Sequence, residues 1–216
     1  MANPLHPHIA RSTTVALQAI AASDGWVALH LTLLVSILLV IGGLVGLARL
    51  LDDGPGGPLA RLGIAAALLG GALAAVSTSM DGFVMKPLAL AWATAPASAA
   101  AMALRLADAV RMIGFGVWSM GILVLFGLAF VCLGAAVAVS GRFLAWLGWT
   151  AVVSGAGSSV AAVLQIANTG EVQMAETLFF ATSLLITVWT FAVGVLMWRT
   201  ARESGKLRAA EPQPGH

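Results

Sequence analysis

Long apolar runs between charged residues dominate this chain. Five stretches hold no Asp, Glu, Lys or Arg, namely 26–48, 62–80, 112–141, 143–170 and 177–198. Because a bilayer core about 30 Å thick needs roughly 20 apolar residues per helix, each stretch is long enough to cross a membrane. The pattern predicts five transmembrane helices at about 26–50, 60–82, 112–139, 143–168 and 176–198.

The composition supports an all-α polytopic transmembrane bundle. Hydrophobic residues make up 60% of the 216 residues and charged residues 9%, against about 25% charged in soluble domains. The net charge of +2 comes from scattered cations, which argues against a nucleic-acid partner because that needs a clustered basic surface. The single cysteine, Cys132, excludes a disulfide within the chain.

Segments outside the bundle are expected to be short. Residues 1–25 form an outer N-terminal segment with a surface helix near 9–22, and Met1–His8 has no Lys or Arg to form a cleavable signal peptide. Residues 200–216 are predicted to form a cytoplasmic, disordered tail, since they are polar and too few to fold alone.

The distribution of cations predicts the orientation. With five spans, seven of the 11 Lys and Arg residues fall on one side: Arg49, Arg61, Arg142, Arg199, Arg202, Lys206 and Arg208. By the positive-inside rule this side is cytoplasmic, so the C-terminus is inside and the N-terminus outside the cell membrane.

One charge-free segment, 87–104, offers a sixth span as an alternative. The charge rule cannot decide, because six spans give the same seven-to-four bias. Pro96 would break a helix hydrogen bond in lipid, and the many alanines contribute little insertion energy. We therefore expect an Ala-rich, non-spanning segment over 86–110, with a helix from about Ser98.

Six residues near the predicted outer ends are candidates for ligand binding or gating: His30, Asp81, Arg111, Gln165, Asn168 and Glu176. Ionisable groups in a membrane are costly, so each suggests a functional site. Structural roles are the alternative. For His30 this is an interfacial imidazole, and for Asp81 an ion pair with Lys86, Arg105 or Arg111.

Polar and small residues recur at helical spacing in the last two spans. In span four they are Thr150, Ser154, Ser158, Ala161, Gln165 and Asn168, and in span five Glu176, Ser183, Thr187, Thr190 and Gly194. Such stripes should face other helices, since unsatisfied polar groups are costly in lipid. Two interpretations stay open: close helix packing, with Asn168 and Glu176 at helix ends, or a polar pocket that opens outward.

Part of the second half resembles a known family. The segments are Leu125-Phe126-Gly127-Leu128, Leu133-Gly134, Ser140-Gly141-Arg142, Leu147-Gly148 and Gly155. Over about residues 108–170 they resemble an uncharacterised family of bacterial multi-pass membrane proteins (domain of unknown function, 4386 type), although Leu144 stands where that family usually has proline. The resemblance implies a six-span bundle in the bacterial inner membrane, or five spans with the N-terminus outside if the first is lost. It implies no activity and no site residues.

No metal, cofactor or catalytic motif is evident in the sequence. We therefore expect a non-enzymatic integral membrane protein that binds a membrane partner or a small apolar ligand, with lipid, a second copy or another membrane protein as partners. A small secondary transporter or permease-like protein with an outer polar gate is the alternative, and an intramembrane enzyme the third.

Overall fold

The computed structural model describes residues 12–167 and 172–210, and the side chains of 12–167 and 173–202. Eight α-helices follow one another: α1 (Thr13–Ala22), α2 (Trp26–Leu51), α3 (Gly57–Ser79), α4 (Met85–Thr94), α5 (Ala97–Gly121), α6 (Phe130–Val139), α7 (Ala145–Ala167) and α8 (Val172–Ala210). Two π-helical segments, Met80–Val84 and Ile122–Ala129, join α3 to α4 and α5 to α6. No strand occurs in these ranges.

Five helices are long and apolar enough to cross a membrane, which confirms the predicted all-α bundle of five spans. They are Trp26–Leu51, Gly57–Thr94, Ala97–Val139, Ala145–Ala167 and Gln173–Arg202. The chain is thus a multi-pass membrane protein. The main differences from prediction are at the ends of the second and third spans, which run well beyond the apolar stretches.

These two helices are longer than a bilayer requires. The α3–α4 helix has 38 residues and the α5–α6 helix 43, or about 57 and 65 Å at 1.5 Å per residue. Between them Ala95 is extended, at φ −81° and ψ 150°, directly before Pro96, and α5 begins one residue earlier than the helix expected from Ser98. Residues 87–104 therefore form no continuous helix.

The overhanging ends pack with α1 into a small unit that we call the cap, consisting of α1, α4 and residues 97–111 of α5. Its buried core contains Leu17, Ile20, Met85, Ala89 and Ala107, which pack together with Trp26 at the start of α2. Lys86 fixes α1 to α4, because its Nζ donates to the carbonyls of Ile20, Ala21 and Ser23 at 3.0, 3.1 and 2.8 Å. These carbonyls lie at the end of α1, where helical carbonyls lack partners within the helix.

The helices outside the cap form the core of the bundle, and this core depends on close contacts between helices. At Gly148 of α7, an added Cβ would lie 2.4 Å from the Ala138 backbone nitrogen, so only glycine permits this approach to α6. Trp189 of α8 is buried against Phe130 and donates its indole N–H to the Leu147 carbonyl at 2.7 Å. The end of the bundle opposite the cap, which carries the turn at Arg142, is called the basic end.

The disordered tail predicted from residue 200 is wrong for residues 200–210, because α8 continues to Ala210. Extending an existing helix requires no new nucleation, and this segment is rich in Ala, Arg, Lys and Glu, which favour helix. Residues 211–216 and the predicted segment before Ser12 lie outside the described residues.

Candidate functional site

A pair of ionisable side chains lies where the cap meets the bundle. His30 Nε2 of α2 is 3.1 Å from Asp81 Oδ2 of the first π-helical segment. The His30 side chain is 2% exposed and that of Asp81 37%. The other ring nitrogen of His30, Nδ1, is 2.8 Å from the Trp26 carbonyl one helical turn earlier. The His30 imidazole therefore links the first span to the second.

The π-helical segment positions Asp81 for this contact. In an α-helix the Met85 amide would bond to the Asp81 carbonyl, but here it bonds to the Met80 carbonyl. The Asp81 carbonyl instead accepts the indole N–H of Trp26 at 2.9 Å. Short π-helical insertions of this kind occur often at functional sites. The wide turn thus binds α2 through both the backbone and the side chain of Asp81.

Gly82 permits the close approach of α2 at the same turn. A Cβ at this position would lie 2.3 Å from His30 Cβ and 2.7 Å from its Cγ. Trp26 also lies next to the ring, with the two ring centroids 4.6 Å apart and the ring planes tilted by 38°. The buried imidazole is therefore packed close to both Gly82 and the indole of Trp26.

The hydrogen bonds of His30 determine how many protons the pair holds. A carbonyl oxygen can only accept, so Nδ1 must carry a proton that it donates to Trp26. The contact between Nε2 and Asp81 Oδ2 then needs a second proton, either on the imidazole or on the carboxyl group. In both arrangements the pair is neutral overall, and its geometry requires one proton between Nε2 and Oδ2 in addition to the proton on Nδ1.

A second polar group lies close by and links α1 to α5. Arg111 Nη1 donates to Thr13 Oγ1 at 2.7 Å, and the Thr13 hydroxyl donates to Asp108 Oδ1. Asp108 and Arg111 are three residues apart in α5, a spacing that puts both on one helix face. This group therefore combines a cation, a carboxylate and a hydroxyl.

Both groups line one cavity of about 610 Å³. Helices α2 and α5 each pack against α3, and the cavity is the cleft between them, with α1 and α4 at its cap end. Its polar lining is Thr13, His30, Ser77, Thr78, Asp81, Asp108 and Arg111, and its apolar lining includes Leu33, Met80, Met85, Val110, Met112, Phe115 and Trp118. A cavity of this size and mixed lining is typical of small-molecule sites.

The cleft is open to the side of the bundle. Met112 and Phe115 of α5 line it and are 76% and 46% exposed, and Leu33 of α2, which also lines it, is 38% exposed. These side chains belong to predicted spans and form the outward-facing rim. A molecule dissolved in the bilayer could therefore reach the polar groups without crossing the cap.

Gln165 lies elsewhere, in the interface between α5 and α7. Its Oε1 accepts the Ser119 hydroxyl at 3.1 Å, and both side chains are buried. Two turns earlier in α7, Ser158 donates to Thr182 of α8 at 2.9 Å. The expectation that the span-four stripe faces other helices is confirmed for Ser154, Ser158, Ala161 and Gln165, which are all buried. The described bonds of Ser158 and Gln165 link helices, whereas Ser154 donates to the Thr150 carbonyl of its own helix. Gln165 does not line the cleft.

The predicted stripe of span five is wrong. Glu176, Thr187 and Gly194 are exposed, and the buried face of α8 instead carries Thr182, Ile186, Trp189 and Val193. Exposed hydroxyls are tolerated because they bond to carbonyls of their own helix, as Thr187 does to Ser183 at 2.8 Å.

The sequence predicts both Glu176 and Asn168 near the ends of spans. Glu176 lies in the second turn of α8, since that helix begins at Val172 rather than at 176, and it does not line the cleft. Gln173, Met174 and Ala175 favour helix and account for the earlier start. Asn168 lies outside the described residues.

Sequence reasoning located three of the groups that line the cleft, His30, Asp81 and Arg111, but missed Thr13 and Asp108 as members of the site. The spacing of Asp108 and Arg111 was an available signal, whereas nothing in the sequence distinguished Thr13. The cations proposed to pair with Asp81 included Lys86, whose described bonds go instead to the end of α1. No group of three His, Cys, Asp or Glu among the described residues could hold a metal ion.

Comparisons with protein-family models, with curated proteins and with solved structures gave no match to this chain. The resemblance to the family of multi-pass membrane proteins therefore stays a prediction. Within its residues, Gly127, Gly134, Gly148 and Gly155 make close helix contacts, and Gly141 has a φ of +66° in the turn before Arg142.

Proposed function

We propose that the protein is a non-enzymatic membrane protein that binds a small amphipathic molecule in the cleft between α2 and α5. The observation that carries this proposal is the combination of a lateral opening with a cluster of polar groups at the cap end of the cleft, in which His30 is buried. The apolar part of the ligand would lie along Leu33, Met112 and Phe115. Its polar end would contact the His30–Asp81 pair and the Arg111 group.

The charges of the cleft favour a ligand with a polar, compact head group over a strongly charged one. The His30–Asp81 pair is neutral when it holds its proton, and Asp108 offsets Arg111. The cleft therefore offers both hydrogen-bond donors and acceptors, and these groups have no net charge that would select a cationic or an anionic ligand. The apolar lining contributes affinity through burial, and the polar groups contribute orientation.

The proposed orientation puts the cap outside the cell and the basic end in the cytoplasm. It is supported by the excess of Lys and Arg at the basic end. The ligand would then enter from the outer leaflet of the cell membrane.

Retention of a small molecule during purification tests the proposal. Gly114 lines the cleft, and no atom lies within 4 Å of a Cβ built there, so Gly114→Leu should add a side chain to the cleft with no clash at its Cβ. Gly116 has equally open surroundings but does not line the cleft, which makes Gly116→Leu the matched control. Mass spectrometry of protein extracted in mild detergent should detect a ligand in the parent and in Gly116→Leu, and lose it in Gly114→Leu. Equal small-molecule content in all three would contradict the proposal.

Proton-coupled transport is the second candidate. It is favoured by the proton that the contact between His30 Nε2 and Asp81 Oδ2 requires. A transported solute could exchange with the proton between Nε2 and Oδ2, because both side chains line the cleft that would hold the solute. In this case the cleft would be one of two alternating states of the bundle.

Proton flux in proteoliposomes distinguishes the two candidates. Asp81→Asn keeps the size of the side chain but removes its titration, whereas Glu176→Gln makes the same chemical change at an exposed position outside the cleft. A transporter should lose solute-dependent proton uptake in Asp81→Asn only. If the parent shows no such uptake with the molecule identified by mass spectrometry, the binding role stands without transport.

A further inference from the structure

A second groove lies at the basic end, far along α8 from the cap. It has a volume of about 700 Å³ and runs between the turn that precedes α7 and residues 191–200 of α8. Arg142 and Arg199 line it, together with Leu144, Trp146, Phe191 and Thr200. Neither arginine belongs to the cleft described above, so this groove is a separate feature of the molecule.

Charge is the first indication of its ligand. Two guanidinium groups line the groove, and no carboxylate does so among the described residues. Asp52, an acid at the same end, pairs with Arg61 at 3.0 Å and is not part of the lining. A guanidinium presents a planar set of donors that fits a phosphate. The groove therefore selects an anion.

The apolar walls are the second indication. Leu144, Trp146 and Phe191 are 67%, 63% and 75% exposed, and Phe191 lies two turns further into the span than Arg199. Arginines thus lie at the end of the groove and apolar side chains along it. A charged end followed by an apolar wall matches the charged head group and the acyl chain of a phospholipid at a membrane interface.

The local backbone fixes one arginine in this position. Gly141 adopts a φ of +66°, and the Arg142 amide donates to Ser140 Oγ at 3.2 Å. The turn before α7 is therefore ordered by its own bonds. A second copy of the chain fits the groove less well, because a twofold contact through it would bring four arginines together.

We propose that this groove binds one anionic phospholipid, with its phosphate between Arg142 and Arg199 and an acyl chain along Trp146 and Phe191. The positive-inside arrangement would put this lipid in the cytoplasmic leaflet, where anionic lipids attract basic residues next to spans. Binding there would hold the start of α7 against α8.

Native mass spectrometry with phosphatidylglycerol and phosphatidylcholine at equal concentrations tests the proposal. The parent should bind one phosphatidylglycerol in clear preference to phosphatidylcholine. Arg142→Gln and Arg199→Gln should each lower the phosphatidylglycerol affinity about fivefold, and together by on the order of 25-fold, with phosphatidylcholine binding unchanged. Both side chains are exposed, so neither change disturbs the core.

Arg61→Gln is the matched control, since it removes one exposed positive charge at the same end but outside the groove. It should retain the preference for phosphatidylglycerol. No preference in the parent, or an equal loss in Arg61→Gln, would overturn the proposal, because attraction would then be absent or spread over the whole basic end. Soluble glycerol phosphate should not displace the lipid; displacement would show that the groove recognises free phosphate instead.

Quenching by brominated phosphatidylglycerol checks the position of the lipid. Trp146 lines the groove, whereas Trp149, three residues further along α7 and similarly exposed, does not. Removing the indole in Trp146→Phe should abolish the largest part of the quenching, and Trp149→Phe should leave that part intact. The reverse result would put the lipid on another face of α7.

Discussion

The His30–Asp81 contact can be measured as a coupling free energy. We consider a double-mutant cycle with His30→Ala, Asp81→Ala and the double variant, in which the interaction energy is separated from the cost of each truncation. A hydrogen bond to a charged group stabilises a protein by about 1.5–3 kcal/mol. Because the Asp81 side chain is 37% exposed, solvent weakens the contact. We therefore expect a coupling of about 1–2 kcal/mol.

A second pair in the same protein provides the comparison. Ser158 and Thr182 form a buried bond of 2.9 Å between two neutral hydroxyls, for which the average measured in a membrane protein is about 0.6 kcal/mol. Both cycles can be carried out by steric-trapping measurement of unfolding in bicelles. The His30–Asp81 coupling should exceed the Ser158–Thr182 coupling. If it does not, the two groups do not share a proton, and the candidate site loses its central interaction.

Two further predictions concern packing and the cap. Gly148→Ala should lower the free energy of unfolding by about 1–3 kcal/mol, because its Cβ would lie 2.4 Å from the Ala138 nitrogen. Gly42→Ala should raise the free energy of unfolding by up to about 1 kcal/mol, because no atom lies within 4 Å of a Cβ built there. A loss of the same size in both variants would contradict this. Lys86→Met should release α1 from α4, so hydrogen exchange should become faster over residues 13–22 but not over α2; unchanged exchange in α1 would show that its apolar contacts suffice.

The spans could be predicted because the bilayer imposes one length and one composition on any helix that crosses it. Residues 26–48 and 143–170 therefore correspond closely to α2 and α7. The overhang at α4 and α5 could not be predicted in this way. Outside lipid, the helical ends are stabilised by contacts such as Lys86 with the end of α1, which apolar runs do not reveal.

The pairing of His30 with Asp81 also lay beyond the sequence. The two residues are 51 positions apart, and their contact depends on the π-helical turn that rotates Asp81 towards α2. No pattern of residue types in the sequence predicts a π-helical turn, although Gly82 is the residue that makes the close approach of α2 sterically possible. The sequence could therefore identify which ionisable groups share one end of the bundle, but not which of them touch.

The predicted polar stripe faces other helices in span four but not in span five, because a different face of each helix is packed. Ser158 and Gln165 share the packed face of α7, as their spacing predicts. In α8 the packed face is set by Trp189 and Ile186, whose burial contributes far more than that of a hydroxyl. Thr187 is therefore left on the exposed side, where it bonds within its own helix.

A cryo-EM structure of the protein in lipid nanodiscs tests whether a ligand occupies the cleft. We expect an elongated, non-protein density in the cleft between α2 and α5, with one end within hydrogen-bond distance of Asp81 or Arg111. The same density should be absent from Gly114→Leu and present in Gly116→Leu. A parent structure in which α2 packs directly on α5 and leaves no cleft, or an empty cleft in which only water surrounds His30 and Asp81, would contradict this expectation.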